Sequence, residues 1–202
     1  MFYFCNYLVF RIINPDPKNQ IIAFVKIINK NVLASIGIST LLLELKRSFI
    51  MKTAIIKLNI ADYSKCSNIW DMQRQSNLAV KFQNELKSGN RTTYIFTIDD
   101  EFIGEISLIK EMNDKDYTIP GRRVFVSRLI VKYEYRRQGI GRKLVEFITQ
   151  KAKEEGYSEM SVGVDLVNYP ALRLYIETGF DRITYIGEDA QGEFLKLLKT
   201  IR

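Results

Sequence analysis

Two arginines and two glycines stand close together in the segment Arg136-Arg137-Gln138-Gly139-Ile140-Gly141. An apolar run from Val124 to Val131 precedes it, and an amphipathic stretch that ends at Gly156 follows it. A strand, a glycine turn and a helix start bring backbone N–H groups to the positive end of a helix dipole, where they bind phosphate oxygens. Arginine side chains add charge-assisted hydrogen bonds, and glycine lets the phosphates approach the backbone. Two glycines alone would favour an ordinary tight turn, but the flanking elements favour a diphosphate-binding loop.

Two familiar phosphate loops fit this segment poorly. A Walker loop needs a Lys-Ser or Lys-Thr pair, whereas Gly141 is followed by Arg142-Lys143-Leu144. A dinucleotide-binding fingerprint needs a third glycine where this chain has Leu144, and an acidic residue at the end of a second strand. The sequence therefore favours neither ATP nor NAD as the ligand.

The loop resembles the acetyl-coenzyme A loop of the GNAT superfamily of N-acetyltransferases. That pattern is Gln or Arg, two residues, Gly, one residue, then Gly or Ala, and Arg136, Gly139 and Gly141 match it. The preceding residues 128–131 and Tyr135 resemble the family's approach to the loop. A second block resembles the family's other signature at the usual distance, and it contains Asn168, Ala171, Leu174, Tyr175, Gly179 and Phe180. The resemblance covers residues 51–200 in outline and is specific from Val124 to Phe180.

The resemblance implies a fold, a cosubstrate and a set of binding residues. The fold would be an α/β (α+β) mixed sheet, mostly antiparallel, flanked by helices and splayed at the cofactor strand. Acetyl-coenzyme A would be the cosubstrate. The backbone of Leu129 and Val131 would hold the pantetheine arm, and Asn168 would hydrogen-bond the coenzyme or cap a helix. The loop residues that would bind the coenzyme are Arg136, Arg137, Gln138, Gly139, Ile140, Gly141 and Arg142.

A change of phase in the strand before the loop points to the same opening of the sheet. Apolar positions shift from Val124 and Val126 to Leu129 and Val131. Such a shift is compatible with a β-bulge.

Tyr175 is the candidate general acid. Ala171, Leu174 and Tyr175 share one face of a short helix that Pro170 begins, so Tyr175 lies on its buried side. In the family the matching tyrosine is close to the departing sulfur. A phenol with a pKa of about 10 can protonate a thiolate whose conjugate acid has a pKa of about 8.5. The alternative is a core tyrosine whose hydroxyl bonds the backbone.

Glu105 is the candidate general base. A lysine-like ammonium is neutral in only about one molecule in 2,500 at pH 7, so a carboxylate or a water chain must deprotonate it. Glu105 lies in the strand pattern Phe102 to Leu108, beside the cofactor strand, and the chain contains no histidine to share the task. The alternative places Glu105 on a solvated face.

The long segment Glu111 to Arg123 also carries polar groups that suit a cationic amine. Its side chains include Asp114, Asp116 and Tyr117. Long loops often hold binding residues. They could equally be ordinary solvated charges.

The periodicity predicts a series of elements that would position these residues. A strand is expected at Thr53 to Leu58 and helical segments at Asp62 to Arg74 and Leu78 to Lys87. A hairpin follows, then the cofactor strand, the helix after the loop and four further elements. The expected bounds of these later elements are Arg91 to Ile98, Phe102 to Lys110, Val124 to Lys132, Met160 to Asp165, a helix from Pro170, Phe180 to Ile186 and Phe194 to Leu198.

Composition agrees with one well-filled domain. The chain has 202 residues, of which 47% are hydrophobic. Its two cysteines, Cys5 and Cys66, form neither a disulfide framework nor a metal-ligand pattern. We therefore expect no metal and a reducing, cytoplasmic compartment.

Residues 1–50 form an atypical N-terminal extension before Met51, where the domain 51–202 would begin. Met1 to Phe10 lacks the basic n-region of a signal peptide. The apolar stretch Ile21 to Leu43 does not suit a membrane span, because it is interrupted by Lys26, Asn29, Lys30 and Asn31. The alternative of an amphipathic surface helix near Val32 to Arg47 stays open. In a bacterial source, Lys46-Arg47-Ser48 can be encoded by a ribosome-binding sequence just before Met51. On that hypothesis the first fifty residues are upstream DNA and absent from the native product.

The net charge gives little support to a nucleic-acid partner. The full chain carries +7, but without residues 1–50 it has 24 basic and 21 acidic residues, a net charge of +3. No recognition helix or aromatic platform accompanies the basic residues near the loop, which suit coenzyme A phosphates better.

The sequence therefore predicts an acetyl-coenzyme A-dependent N-acetyltransferase, an acyltransferase that acetylates a primary amine of a small molecule or protein. The alternative is a noncatalytic coenzyme A-binding or regulatory module. We expect a monomer or homodimer without nucleic-acid or membrane partners.

Overall fold

The computed structural model describes residues 51–201, which form a seven-stranded sheet with helices on both faces. The spatial order of the strands is β1-β2-β3-β4-β5-β7-β6. The strands are β1 (Thr53–Lys57), β2 (Arg91–Ile98), β3 (Glu101–Ile109), β4 (Arg123–Val131), β5 (Glu159–Asp165), β6 (Arg182–Asp189) and β7 (Gly192–Thr200). The α-helices are α1 (Ser76–Ser88), α2 (Ile140–Glu154) and α3 (Tyr169–Glu177). Among these strands β4 and β5 pair in parallel, and the other neighbours are antiparallel.

The mixed, mostly antiparallel sheet confirms the expected fold class, and most elements lie within two residues of their expected bounds. The first helical segment is different, because it is a 3₁₀ helix over Ile60–Asn68 and not a helix that runs to Arg74. Its buried residues Tyr63 and Cys66 are three apart, which suits the three-residue turn of a 3₁₀ helix. The prediction for residues 1–50 lies outside the described residues.

The β2–β3 connection is a tight hairpin, so β3 begins at Glu101. Its two loop residues, Asp99 and Asp100, have φ values of 48° and 65°. Two successive left-handed residues are typical of the turn whose twist matches a two-residue hairpin. This turn sets the register of β3 against β2, in which Ile98 pairs with Glu101.

Two apolar clusters cover the two faces of the sheet. On one face α2 packs Ile140, Leu144 and Ile148 against the strands, and Tyr175 of α3 belongs to the same cluster. On the other face the 3₁₀ helix and α1 form the smaller cluster around Trp70. Because successive strand residues face opposite sides, every central strand sends side chains into both layers.

Candidate active site

Strand β4 is interrupted by a bulge. Ser127 pairs with Ser107 and Ile130 pairs with Glu105, so two residues of β4 lie opposite one residue of β3. Arg128, one of these two, has a φ of 58°, which is uncommon for a residue with a side chain. The bulge expected from the apolar phase change is therefore confirmed.

The sheet forks between β4 and β5 just before this bulge. Their pairing runs over four residue pairs, from Arg123↔Glu159 to Val126↔Val162, and then ends. At the closed end, Arg123 Nε donates to Glu159 Oε2 at 2.8 Å. The β4 edge that carries Leu129 and Val131 consequently has no β5 residues paired to it, and coenzyme binding by this edge stays a prediction.

The loop after β4 presents its backbone to the start of α2. Arg137 and Gly139 have φ values of 64° and 80°, and Gly139 is the N-cap residue without a side-chain cap. The first N–H groups of α2 are therefore available to an anion. Arg136 Nε donates to the Val131 carbonyl at 3.0 Å, which ties the loop to the end of β4.

Other side chains at the loop already have structural tasks. Ile140 is only 4% exposed and packs in the core, so it can offer only its backbone N–H to a ligand. Gln138 Nε2 donates to the Glu134 carbonyl at 3.3 Å. Arg142 of α2 forms an ion pair with Glu177 at the end of α3, which links the two helices.

The two glycines of the loop serve different purposes. A Cβ on Gly139 would meet nothing within 4 Å, so the positive φ is what favours glycine there. A Cβ on Gly141 would lie 3.2 Å from Leu174 Cδ2. Gly141 thus allows α2 and α3 to approach closely, a reason that the sequence pattern did not supply.

Asn168 caps α3. Its side-chain oxygen accepts from the Ala171 N–H at 3.3 Å. The residue is exposed, so its amide also faces solvent at the helix start. The capping alternative is confirmed, and coenzyme binding by Asn168 stays a prediction.

Tyr175 is buried on the α2 face of the sheet, with 6% exposure. Its ring centre lies 5.5 Å from that of Phe180 in an edge-to-face contact. Burial raises the pKa of Tyr175, so its phenol stays protonated at neutral pH. Among residues 51–201 the Tyr175 hydroxyl makes no hydrogen bond to a backbone carbonyl, which argues against the alternative of a core tyrosine bonded to the backbone.

Glu105 is buried on the opposite face, with 4% exposure, so the solvated-face alternative is wrong. Arg128 Nε donates to Glu105 Oε1 at 3.3 Å. Burial raises the pKa of Glu105, and the positive charge of Arg128 offsets only part of this effect. A raised pKa makes Glu105 a stronger base than an exposed glutamate.

Sequence reasoning missed the surroundings of Glu105. The Arg128 guanidinium lies 4.0 Å from the centre of the Trp70 ring, and the fully buried thiol of Cys66 belongs to the same cluster. Within the described part of the chain, Trp70 Nε1 and Arg128 Nη2 are buried without hydrogen-bond partners. An arginine inside an apolar strand was the available signal for this cluster.

Two acidic residues of the β3–β4 loop, Asp114 and Asp116, form ion pairs within the protein. Lys196 Nζ donates to Asp114 Oδ2 at 2.8 Å and to Asp116 Oδ2 at 3.1 Å. These two carboxylates therefore pair with a lysine of β7, while their own side chains stay 32% and 40% exposed to solvent.

Neither a metal cluster nor a membrane span emerges from the described residues. Over 51–201, no group of three or more Cys, Asp or Glu side chains is arranged to hold a metal ion. In the same range, no helix has the length and apolar character needed to cross a bilayer.

Known proteins share both the sequence pattern and the fold. Residues 53–180 match the model of the acetyltransferase (GNAT) family. N-acetyltransferase family 8 member 3 of Rattus norvegicus is 32% identical over 77 residues, which are 38% of this chain and 34% of that protein. The chain thus aligns with about a third of the length of this curated relative.

Solved structures show the shared fold. An aminoglycoside 6′-acetyltransferase type Ii has a TM-score of 0.61 at 17% identity, over 74% of this chain and 97% of that one. A GNAT family acetyltransferase from Elizabethkingia anophelis, solved with acetyl-CoA bound, has a TM-score of 0.55 at 17% identity, over 73% and 97% of the two chains. Since the family model covers more than half of the sequence, this chain belongs to the GNAT family of acetyltransferases.

Proposed function

We propose that the protein transfers an acetyl group from acetyl-coenzyme A directly to a primary amine of a small molecule or protein. The observation that carries the proposal is the fork between β4 and β5, which leads to the free helix start at Gly139. An extended pantetheine arm can pair with the open β4 edge at Leu129 and Val131. The diphosphate then reaches the N–H groups of residues 137–142, where Arg136, Arg137 and Arg142 add positive charge.

Tyr175 is the proposed acid in this reaction. The amine attacks the thioester carbonyl, the tetrahedral intermediate expels the coenzyme A thiolate, and the Tyr175 phenol supplies a proton to the sulfur. Its raised pKa supports this role, because the phenol carries its proton at neutral pH.

Glu105 is the proposed final acceptor of the ammonium proton. It lies beside the bulge, opposite Ile130 of the cofactor strand. Because its side chain is 5% exposed, the proton must pass through a water molecule to reach it. The Arg128 ion pair holds the carboxylate in place.

We also propose that the protein is cytoplasmic, that it acts as a monomer or homodimer, and that neither a nucleic acid nor a membrane is its partner. The free thiol of Cys66 supports a reducing compartment. No metal takes part in the proposed chemistry.

Two measurements test the function. Calorimetry with coenzyme A and acetyl-coenzyme A tests binding, and a panel of lysine, spermidine, an aminoglycoside and a peptide with a free N-terminus tests turnover by mass shift. We expect binding and acetylation of at least one class of amine. Binding without any turnover would favour the noncatalytic module. The absence of binding would overturn both the acetyltransferase and the noncatalytic coenzyme A-binding module.

A further inference from the structure

The β3–β4 loop brings one phenol to the fork of the sheet. Gly163 is the first β5 residue beyond the last β4–β5 pair, Val126↔Val162. A Cβ on Gly163 would lie 2.6 Å from the Tyr117 hydroxyl oxygen, so this hydroxyl covers the backbone at the point where the strands part.

Tyr117 lies on the same side of the sheet as the proposed base, Glu105. Val162 and Val164 belong to the cluster under α2, so Gly163 between them faces the opposite side. Tyr175 belongs to the α2 cluster, whereas Glu105 lies on the same side as Tyr117. With the coenzyme in the fork, an amine that approaches from the Tyr117 side reaches one face of the thioester, and the proposed acid Tyr175 lies on the opposite face.

The ring and backbone of Tyr117 are held firmly. Its ring centre is 4.4 Å from that of Phe125, and Lys196 Nζ lies 4.8 Å from the same ring. The Tyr117 carbonyl accepts from Ser161 Oγ at 2.5 Å, and its N–H donates to the Asp114 carbonyl at 3.1 Å. Lys196 in turn binds the loop through two carboxylates, so the loop is fixed on β7.

The hydroxyl is the one part of Tyr117 that these contacts leave free. Among residues 51–201 it makes no hydrogen bond in the protein, although the ring around it is half-buried. A phenol can both donate and accept a hydrogen bond. A rigidly held group of this kind is already oriented for a ligand at the fork.

We propose that the Tyr117 hydroxyl binds the nitrogen of the acceptor amine and thereby helps to select the acceptor. The phenol oxygen accepts a hydrogen bond from the neutral amine, which leaves the nitrogen lone pair directed at the thioester carbonyl carbon. Tyr117 takes no proton in this step. The inference rests on the proposed acetyl transfer and deepens it, because it assigns an acceptor-binding group.

Tyr117→Phe tests the inference with the amine that the wild-type protein acetylates fastest. We expect the acceptor KM to rise about threefold to tenfold, as for the loss of one hydrogen bond, while coenzyme A affinity stays unchanged. Tyr157→Phe is the matched control, because Tyr157 follows the far end of α2, and it should leave both constants unchanged. An unchanged acceptor KM in Tyr117→Phe would overturn the inference.

Gly163→Ala gives an independent test of the same contact. Its new Cβ must displace the Tyr117 hydroxyl, so the acceptor KM should rise as in Tyr117→Phe. When Phe replaces Tyr117, the nearest ring atoms lie 3.4 and 3.5 Å from that Cβ, which are ordinary contacts. The double variant should therefore show no further rise, and a full additive rise would contradict the proposal.

Wild-type turnover separates the two proposals. A wild-type protein that acetylates no amine would overturn the proposed function and the acceptor site with it. Turnover by the wild-type protein together with an unchanged KM in Tyr117→Phe would overturn the acceptor site alone.

Discussion

The guanidinium carbon of Arg128 lies 4.0 Å from the centre of the Trp70 ring. In the same position Arg128 Nε donates to the buried carboxylate of Glu105, and the Arg128 backbone forms the bulge of β4. Arg128 therefore contributes its backbone to the bulge that opens the sheet and its side chain to the ion pair with the proposed base, Glu105.

Arg128→Ala should lower the free energy of unfolding by about 3–5 kcal/mol, because it leaves Glu105 buried without its partner. Arg128→Gly should cost about 1 kcal/mol less, since glycine adopts the φ of 58° without strain. Adding Glu105→Gln to Arg128→Ala should restore part of the loss, because the unpaired charge is gone. Urea unfolding measures all three changes. Equal losses in Arg128→Ala with and without Glu105→Gln would show that the ion pair is not the cause.

Tyr175→Phe should lower kcat by about a hundredfold and leave coenzyme A affinity unchanged, as for the loss of a general acid. An acid works in its protonated form, so a raised pKa moves its loss of activity to higher pH. The ratio of wild-type to variant kcat should therefore stay constant between pH 7 and about 9.5. A ratio that falls towards one within that range would contradict a buried, protonated phenol.

Gly139→Ala should lower the free energy of unfolding by about 1–2 kcal/mol, the cost of a left-handed residue with a Cβ. Gly139→Asn is the control, because asparagine tolerates this conformation better and should cost less. Urea unfolding gives the stability, and calorimetry should show weaker coenzyme A binding in Gly139→Ala. Equal stability of the alanine and wild-type proteins would argue against the φ of 80°.

Asn168→Ala should lower the free energy of unfolding by about 1 kcal/mol through loss of the helix cap. Asn168→Asp keeps an oxygen that can accept from the Ala171 N–H and should retain the stability. If the Asn168 amide also binds the coenzyme, both variants should bind coenzyme A more weakly in calorimetry. Unchanged affinity in both would leave Asn168 as a cap alone.

Local patterns were enough to predict much of this fold. Helical spacing after Gly139 predicted α2. The apolar phase change was compatible with a bulge between Val126 and Leu129, and the structure has one there, at Arg128. The 3₁₀ helix at Ile60–Asn68 was not distinguished from an α-helix, because the two periods hardly differ over so few residues.

Contacts between distant segments account for what the sequence did not predict. Alternation in β3 could not place Glu105, because helices cover both faces of the sheet and each side offers a buried position. Lys196 and Asp114 are 82 residues apart in sequence, so no local pattern pairs them. The close approach of the Tyr117 hydroxyl to Gly163 likewise joins residues that are distant in sequence.

The fork has a consequence for amide exchange with deuterated water. Strand β4 lies in the middle of the sheet, yet beyond Val126 one of its edges has no neighbouring strand. Without a ligand, those N–H groups of residues 127–131 that point into the fork should exchange much faster than the amides of residues 123–126. A ligand that pairs with this edge should selectively slow the exchange of these N–H groups. Their exchange rates would therefore show whether the fork is occupied.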